Sequence, residues 1–335
     1  MSICSSKRQT GGAMVLKRLA RPMDITLHIG PHRTGTTCFQ NYMQRAQDAL
    51  SEDGVAFWGP QQTRDGVFAG VYSRIKDRRG AGDNTRFDQD LQERLDAARE
   101  AGVRHLVVSE ENMMGSIGQN VRHKVLYKDV GKRVAHFAQA FGDEVTSIVI
   151  SPRSLDVFWC SSLAYAVSNG LTAPDAAQSA AIARSFRGWR HVVADIASAV
   201  PEVELKVLPF DEFAGRPDRF LEVATGLSGP VCTDRTPVNA SPRLPELRRA
   251  MLAKGMDTTA LPFGMGRWNP FTNEQHSALR ELFADDMMWL TAGADGLATL
   301  IEDRSVTQAG QNPPRAAQEK GQFDECEERR LARPG

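Results

Sequence analysis

Short apolar, β-branched runs alternate with longer amphipathic segments along most of this chain. "ITLHI" (25–29) stops at Gly30 and reads as a buried strand. "TTCFQNYMQRAQDAL" follows without Gly or Pro, and Phe39, Tyr42, Met43 and Ala46 recur in it at helical spacing. "GVAFWG" offers a second strand. "FDQDLQERLDAAREAG" predicts an amphipathic helix closed by Gly102, "RHLVVSEEN" a strand over 104–109, and "VGKRVAHFAQAFG" a helix closed by Gly142. "VTSIVISPR" is the next strand and "SLDVFWCSSLAYAVSNG" the next helix. "SFRGWRHVVADIASAVP" predicts a helix up to Pro201, "VELKVLPF" a strand, and "DEFAGRPDRFLEVATGL" leads into a further helix.

Beyond 230 the alternation stops. "VNASPRLPELRRAML" predicts a loop and then a helix capped near Ser241, and "NEQHSALRELFADDMMWLTA" a long helix from Thr272 or Asn273. "RIKDRRGAGDNTR" reads as an exposed, mobile loop. Residues 1–23 read as a disordered lead-in, with Met14 and Met23 as alternative starts, 24–302 as one domain, and 303–335 as a disordered polar tail.

Strands that alternate with helices imply right-handed β-α-β units and a mainly parallel sheet covered on both faces: an α/β three-layer sandwich. Ligands of such sheets sit beyond the carboxyl ends of the strands. Three predicted strand ends carry polar residues that can meet there: residues 30–37, Ser109-Glu110-Glu111-Asn112, and Ser151-Pro152-Arg153.

Composition narrows the function. The 335 residues include 41 basic and 41 acidic side chains, which removes the general charge argument for a nucleic-acid partner. A hydrophobic content of 41% supports a sizeable core. No apolar run approaches the ~20 residues of a membrane span, and Ala13–Leu16 is too short for a signal-peptide core. The five cysteines are odd in number and lack metal-ligand spacing, so reduced thiols in a cytoplasm are expected, with Cys38 a small buried apolar residue. No metal is expected.

The chemistry centres on Gly30-Pro31-His32-Arg33-Thr34-Gly35-Thr36-Thr37, between a predicted strand and a predicted helix. Glycines at 30 and 35 let the backbone approach an anion, the helix N-terminus favours negative charge, and Thr34, Thr36 and Thr37 add hydroxyls. An ATP-binding loop would place Lys after the second glycine, where Thr36 stands; here the cation is Arg33, on the crown of the loop. That suits a terminal 5′-phosphate better than a magnesium-bound triphosphate.

Arg33-Thr34-Gly35-Thr36-Thr37 resembles the 5′-phosphosulfate loop of the sulfotransferases that use 3′-phosphoadenosine 5′-phosphosulfate (PAPS), whose usual pattern is Lys-[Ser/Thr]-Gly-Thr-Thr. Only the first position departs. The family also carries an Arg at a later strand end and a Ser eight residues on, which bind the 3′-phosphate; Arg153 and Ser161 match both residue type and spacing. "VVSEENMM", "LKVLPFDEF" and "LRELFADDMMWL" are similar to segments of the bacterial, carbohydrate-type branch, and the similarity runs from about 24 to about 300.

The resemblance implies a P-loop nucleoside-triphosphate-hydrolase-like fold, PAPS as co-substrate, and sulfuryl transfer to a hydroxyl or an amine of a glycan or small-molecule acceptor. Arg33 would stabilise the leaving phosphate oxygen. The base is expected at Glu111 or Glu110, with Glu111 preferred because "SEEN" fits a Ser-x-Glu-Asn pattern of bacterial members. His28 reads as a satisfied core histidine, and His32 as a sulfate contact or a turn former. Asn239 and Ser241 are placed to approach the cofactor, and Arg187, Trp189 and Arg190 to line an acceptor groove or simply to pack. A P-loop kinase or NTPase, and a non-catalytic nucleotide- or glycan-binding protein, are the alternatives.

Overall fold

The computed structural model describes residues 23–76, 85–233 and 240–303. Within them six strands form one sheet: β1 (Asp24–Gly30), β2 (Val55–Trp58), β3 (His105–Ser109), β4 (Val145–Ile150), β5 (Glu204–Val207) and β6 (Thr299–Leu300), in the order β2-β3-β1-β4-β5-β6. Every neighbouring pair is parallel. Each connection must therefore return across a face of the sheet, and helices do so on both faces. The three-layer α/β sandwich expected from the alternation is the fold.

Side-chain alternation divides the core in two. Ile25, Leu27 and Ile29 of β1, Leu106 and Val108 of β3, and Ile148 and Ile150 of β4 face one layer. There they pack with Phe137, Phe158 and Trp189 of the helices Val130–Phe141, Leu155–Ser168 and Trp189–Ala199. Val107 and Val149 face the other layer, with Phe39 and Met43 of the helix Thr36–Arg45 and Phe220 and Leu221 of Pro217–Thr225. On that face β1 carries Thr26 and His28, and each meets a serine of a neighbouring strand: Thr26 Oγ1 lies 3.0 Å from Ser147 Oγ, and His28 Nδ1 2.8 Å from Ser109 Oγ. Burial with a partner is tolerable for a polar group, and it holds His28 neutral, lowering its pKa to about 3.

Several elements differ from the sequence reading for identifiable reasons. The helix after β1 ends at Arg45, and a second helix, Gln47–Glu52, follows a turn at Ala46 that puts Leu50 in the cluster with Val55 and Phe57. The segment after β2 is largely helical: Pro60–Gln62, a π turn Thr63–Val67 and a helix Ala69–Lys76. Its Val67, Phe68 and Val71 are buried against the core that holds Phe137 and Phe141, and that anchors the chain there. The helix expected from 185 begins at Trp189, behind an additional helix Ala176–Ala183. The helix Leu244–Leu252 is capped by Arg243 and carries a proline in its first turn, so Ser241 lies outside it. β6 has two residues, too few for any periodicity. Of the sequence readings, the lead-in up to 22, residues 77–84, Asn239 and the tail from 304 lie outside the described residues. Among the described residues no helix is long and apolar enough to cross a membrane.

Candidate functional site

The strand order places the site. β1 lies between β3 and β4; the connection leaving β1 runs toward the β2 edge whereas those leaving β3 and β4 run the opposite way, and a crevice opens where the direction reverses. Main-chain hydrogen bonds continue the sheet past the strand ends: Glu110 N–H donates to His28 O (3.1 Å), Ser151 N–H to Gly30 O (2.9 Å) and Phe210 N–H to Pro152 O (2.9 Å). All four segments that leave these strands are therefore held side by side. A cavity of about 750 Å³ lies above them, lined among others by Arg33, Thr36, Thr37, Glu111, Arg153 and Ser161.

The loop is tightly folded. Gly30 (φ 99°) and Gly35 (φ 82°) occupy left-handed backbone that glycine adopts without strain. A side chain at Gly30 would also come within 3.1 Å of Glu111 Cβ. Thr34 and Thr36 both donate their hydroxyls to Pro31 O (2.6 and 3.1 Å), which closes the loop on itself. Thr34 is buried, and its hydroxyl proton is directed into the loop. Thr36 and Thr37 do line the cavity.

Arg33, Arg153 and Ser161 meet although 120 and more residues of chain separate the first from the others. Arg33 Nε donates to Ser161 Oγ (2.9 Å), and Arg153 Nη1 donates to Arg33 O (3.0 Å). Each guanidinium rests on an aromatic ring: Arg153 on Phe210 at 4.4 Å and Arg33 on Tyr165 at 5.6 Å. Trp189 Nε1 donates to Arg153 O (2.8 Å), which fixes the backbone of that residue. Burial lowers the pKa of both arginines, and Arg267 depresses both further; Arg33 also depresses Arg153. Three like charges gathered in one wall mark a site whose positive potential an anion would relieve.

The two adjacent glutamates have separate roles. Glu110 is fully enclosed and accepts from Thr63 Oγ1 (2.8 Å), Arg64 Nε and Nη2 (2.8 and 2.9 Å), and the main-chain and side-chain nitrogens of Asn112 (3.0 and 2.7 Å). Burial alone would raise its carboxyl, but those hydrogen bonds and the charge of Arg64 outweigh it and hold the group below the usual glutamate range. Such a carboxylate is a brace, and it does not line the cavity. Glu111 does line it. One of its oxygens accepts from Arg64 Nη2 (2.8 Å) and the other from Gln40 Nε2 (3.3 Å), so each keeps a lone pair. His32 stands in the same wall, with Nδ1 3.0 Å from Tyr127 Oη and Nε2 3.4 Å from Asn112 Oδ1. Asn112 donates its Nδ2 to Glu110, so its Oδ1 accepts from Nε2; Nε2 therefore carries the ring proton and Nδ1 accepts from the Tyr127 hydroxyl. Burial lowers the His32 pKa, which keeps the ring neutral.

Other candidates fall elsewhere. Arg187 donates to the carbonyls of Leu126 and Tyr127 and to Asp195, and Trp189 is wholly buried; both hold helices together and neither lines this cavity. Arg190 lies against the Trp289 ring and Asp285 O, also away from the cavity. Cys38, expected to be buried, is half-buried in the cavity wall. Ser241 reaches the site as expected, 2.6 Å from Ser161 Oγ. Several wall residues were not among the sequence candidates. Gln40, Asn41 and Gln44 form, with Thr37, a polar stripe opposite Phe39, Tyr42 and Met43, and that stripe was visible as helical periodicity. Tyr165 follows Ser161 by one helical turn, a spacing also present in the sequence. Arg64 and Arg267 enter from distant segments, and no local pattern marks them.

Among the described residues no group of three or more His, Cys, Asp and Glu side chains is placed to hold a metal ion. Compared with known protein families and with curated proteins, the chain matches no family model and no curated sequence.

Proposed function

We propose that this protein is a PAPS-dependent sulfotransferase acting on a hydroxyl of a glycan or small-molecule acceptor, with an amine as the second choice of nucleophile. The observation that carries the proposal is the meeting of Arg33, Arg153 and Ser161 in one cavity that Glu111 also lines. The cavity suits an anionic nucleotide: two glycines free the loop backbone, and Arg33, Arg153 and Arg267 gather positive charge in its wall.

PAPS, when bound, supplies the sulfuryl group and a bisphosphate leaving group. The chain's residues divide the remaining work. Arg153, clamped between Phe210 and Arg33 O, has guanidinium N–H donors left for the 3′-phosphate, with Ser161 beside it. Arg33 neutralises the charge that grows on the 5′-phosphate oxygen as its bond to sulfur breaks. Permanently charged, it supplies electrostatic stabilisation and no proton. Glu111 takes the proton of the acceptor hydroxyl as the new sulfur–oxygen bond forms. Arg64 and Gln40 hold its two oxygens in position. A cytoplasmic setting with reduced thiols belongs to the same reading.

Calorimetric titration with 3′-phosphoadenosine 5′-phosphate tests the reading. The wild type is expected to bind it in the micromolar range, and Arg153→Ala to weaken binding at least tenfold, about 1.4 kcal/mol. Absent binding, or equally tight magnesium-dependent binding of ATP, would overturn the assignment in favour of a P-loop kinase or another nucleotide site.

A further inference from the structure

A second cavity, of about 490 Å³, lies on the far side of Tyr127 from the first. It is bounded by the helices Ile117–His123 and Val130–Phe141, and its lining is strongly basic: Lys128, Lys132, Arg133 and Arg74, with His123 and His136, against the single acid Asp129. Both hydrogen bonds of Arg133 go to main-chain carbonyls, Met113 O at 3.1 Å and Asn112 O at 2.6 Å, so they hold its guanidinium without neutralising it. The cavity wall also contains Asn120, a residue only 2% exposed. Its Oδ1 accepts from Tyr127 N–H (3.0 Å), which fixes the amide's orientation, and its Nδ2 is sealed from solvent without a partner. Folded chains seldom leave such a donor unmet, and an unmet one calls for an explanation.

We propose that this cavity is a second oxyanion-binding site, taking the sulfate or phosphate group of an ester, separate from the cavity of Arg33 and Arg153. A tetrahedral oxyanion presents oxygens in several directions and can meet a guanidinium, two ammonium groups and an amide N–H together; a single carboxylate cannot. The volume is within the range of small-ligand sites, which leaves room for a sugar-sized body behind the charged group. The inference needs no assumption about the chemistry of the first cavity. The two are nevertheless joined. Tyr127 lines the second cavity and hydrogen-bonds His32 in the first, and Arg133 grips the carbonyls just after Glu111.

Histidine resonances in carbon-13 NMR spectra can watch both cavities at once, because the chain has seven histidines, with His123 and His136 lining the second cavity and His32 the first. The probes are glucose 6-sulfate and glucose 6-phosphate, with glucose as the uncharged control. Saturable shifts of His123 and His136 are expected with at least one ester and none with glucose. A preference for one ester identifies the sulfate or the phosphate as the natural group, and equal affinity means that the site reads the tetrahedral charge alone. The exposed pair Lys128→Ala/Lys132→Ala should weaken these shifts at least tenfold and leave the response of His32 intact. Asn120→Asp, which keeps the acceptor oxygen for Tyr127 and replaces the amide donor with a negative charge, should abolish them. Shifts that never saturate, that glucose also produces, or that persist unchanged in the lysine pair would reduce the cavity to a solvated basic surface and overturn the proposal.

Discussion

Glu110 and Glu111 are chemically identical neighbours, and their surroundings alone separate them. Five hydrogen bonds enclose Glu110, whereas Glu111 keeps a lone pair on each oxygen and lines the cavity. Glu111→Gln is expected to abolish sulfuryl transfer and leave affinity for 3′-phosphoadenosine 5′-phosphate within about twofold, since only proton acceptance is lost. Retained turnover in that variant would remove Glu111 as the base. Glu110→Gln should act on the fold, because a Gln amide turns two N–H donors toward a ring of other donors. A loss of about 2 kcal/mol is expected in urea denaturation, moderated by the half-exposed Arg64. The sign of its pH dependence follows from the lowered pKa. The contribution is complete above the unfolded value of about 4.3 and disappears as pH falls through the folded value.

The position of Arg153 depends on a joint between two helices. Asp286 of Asn273–Thr291 accepts from Trp189 N–H (2.5 Å) at the start of Trp189–Ala199, and Trp189 in turn holds Arg153 O. Gly188 is the point of closest approach. A Cβ there would lie 2.1 Å from Asp286 Oδ2, so that carboxylate would have to shift away from its hydrogen bond to Trp189 N–H. Gly188→Ala is expected to cost about 1–3 kcal/mol by overpacking and to lower nucleotide affinity through Arg153. An unchanged denaturation midpoint would show that the joint yields. Much of this level was legible in the sequence. The alternating runs located β1 to β5, and the last long helix was expected from Thr272 or Asn273; Thr272, whose side chain accepts from Gln275 N–H, is its cap. The joint itself was not legible, since Gly188 and Asp286 stand 98 residues apart and neither lies in a local pattern.

At the scale of the whole molecule, buried carboxylates pull stability in opposite directions with pH. Burial, only partly offset by hydrogen bonds from the N–H groups of Trp189 and Arg190, raises the Asp286 pKa to about 6. Its folded value exceeds the unfolded one, near 3.9, so its favourable contribution is complete below that pH and is lost as pH rises through about 6. Asp286→Asn keeps an oxygen for Trp189 N–H and removes the buried charge. It should stabilise the protein at pH 7.5 by on the order of 2 kcal/mol and have little effect near pH 4. Denaturation curves at the two pH values measure the difference, and an equal effect at both would refute the charge argument. Glu110 works in the opposite sense, so the wild type should be most stable in the interval between the two transitions.

The chain's sequence by itself determined the class of fold, because a strand buried on both faces and a helix buried on one need residue periods that cannot be interchanged. It also carried the glycine spacing of residues 30–37 and the eight-residue spacing from Arg153 to Ser161, since both are local patterns along the chain. Tertiary structure alone decided the rest. It brought Arg64 and Arg267 into the cavity, gave Glu111 the open position and enclosed Glu110, and turned the hydroxyls of Thr34 and Thr36 back onto Pro31. It also left the Asn120 amide nitrogen without a partner in the wall of a basic hollow. Burial and electrostatic potential are sums over neighbours from every part of the chain, and a one-dimensional pattern carries only the neighbours along it.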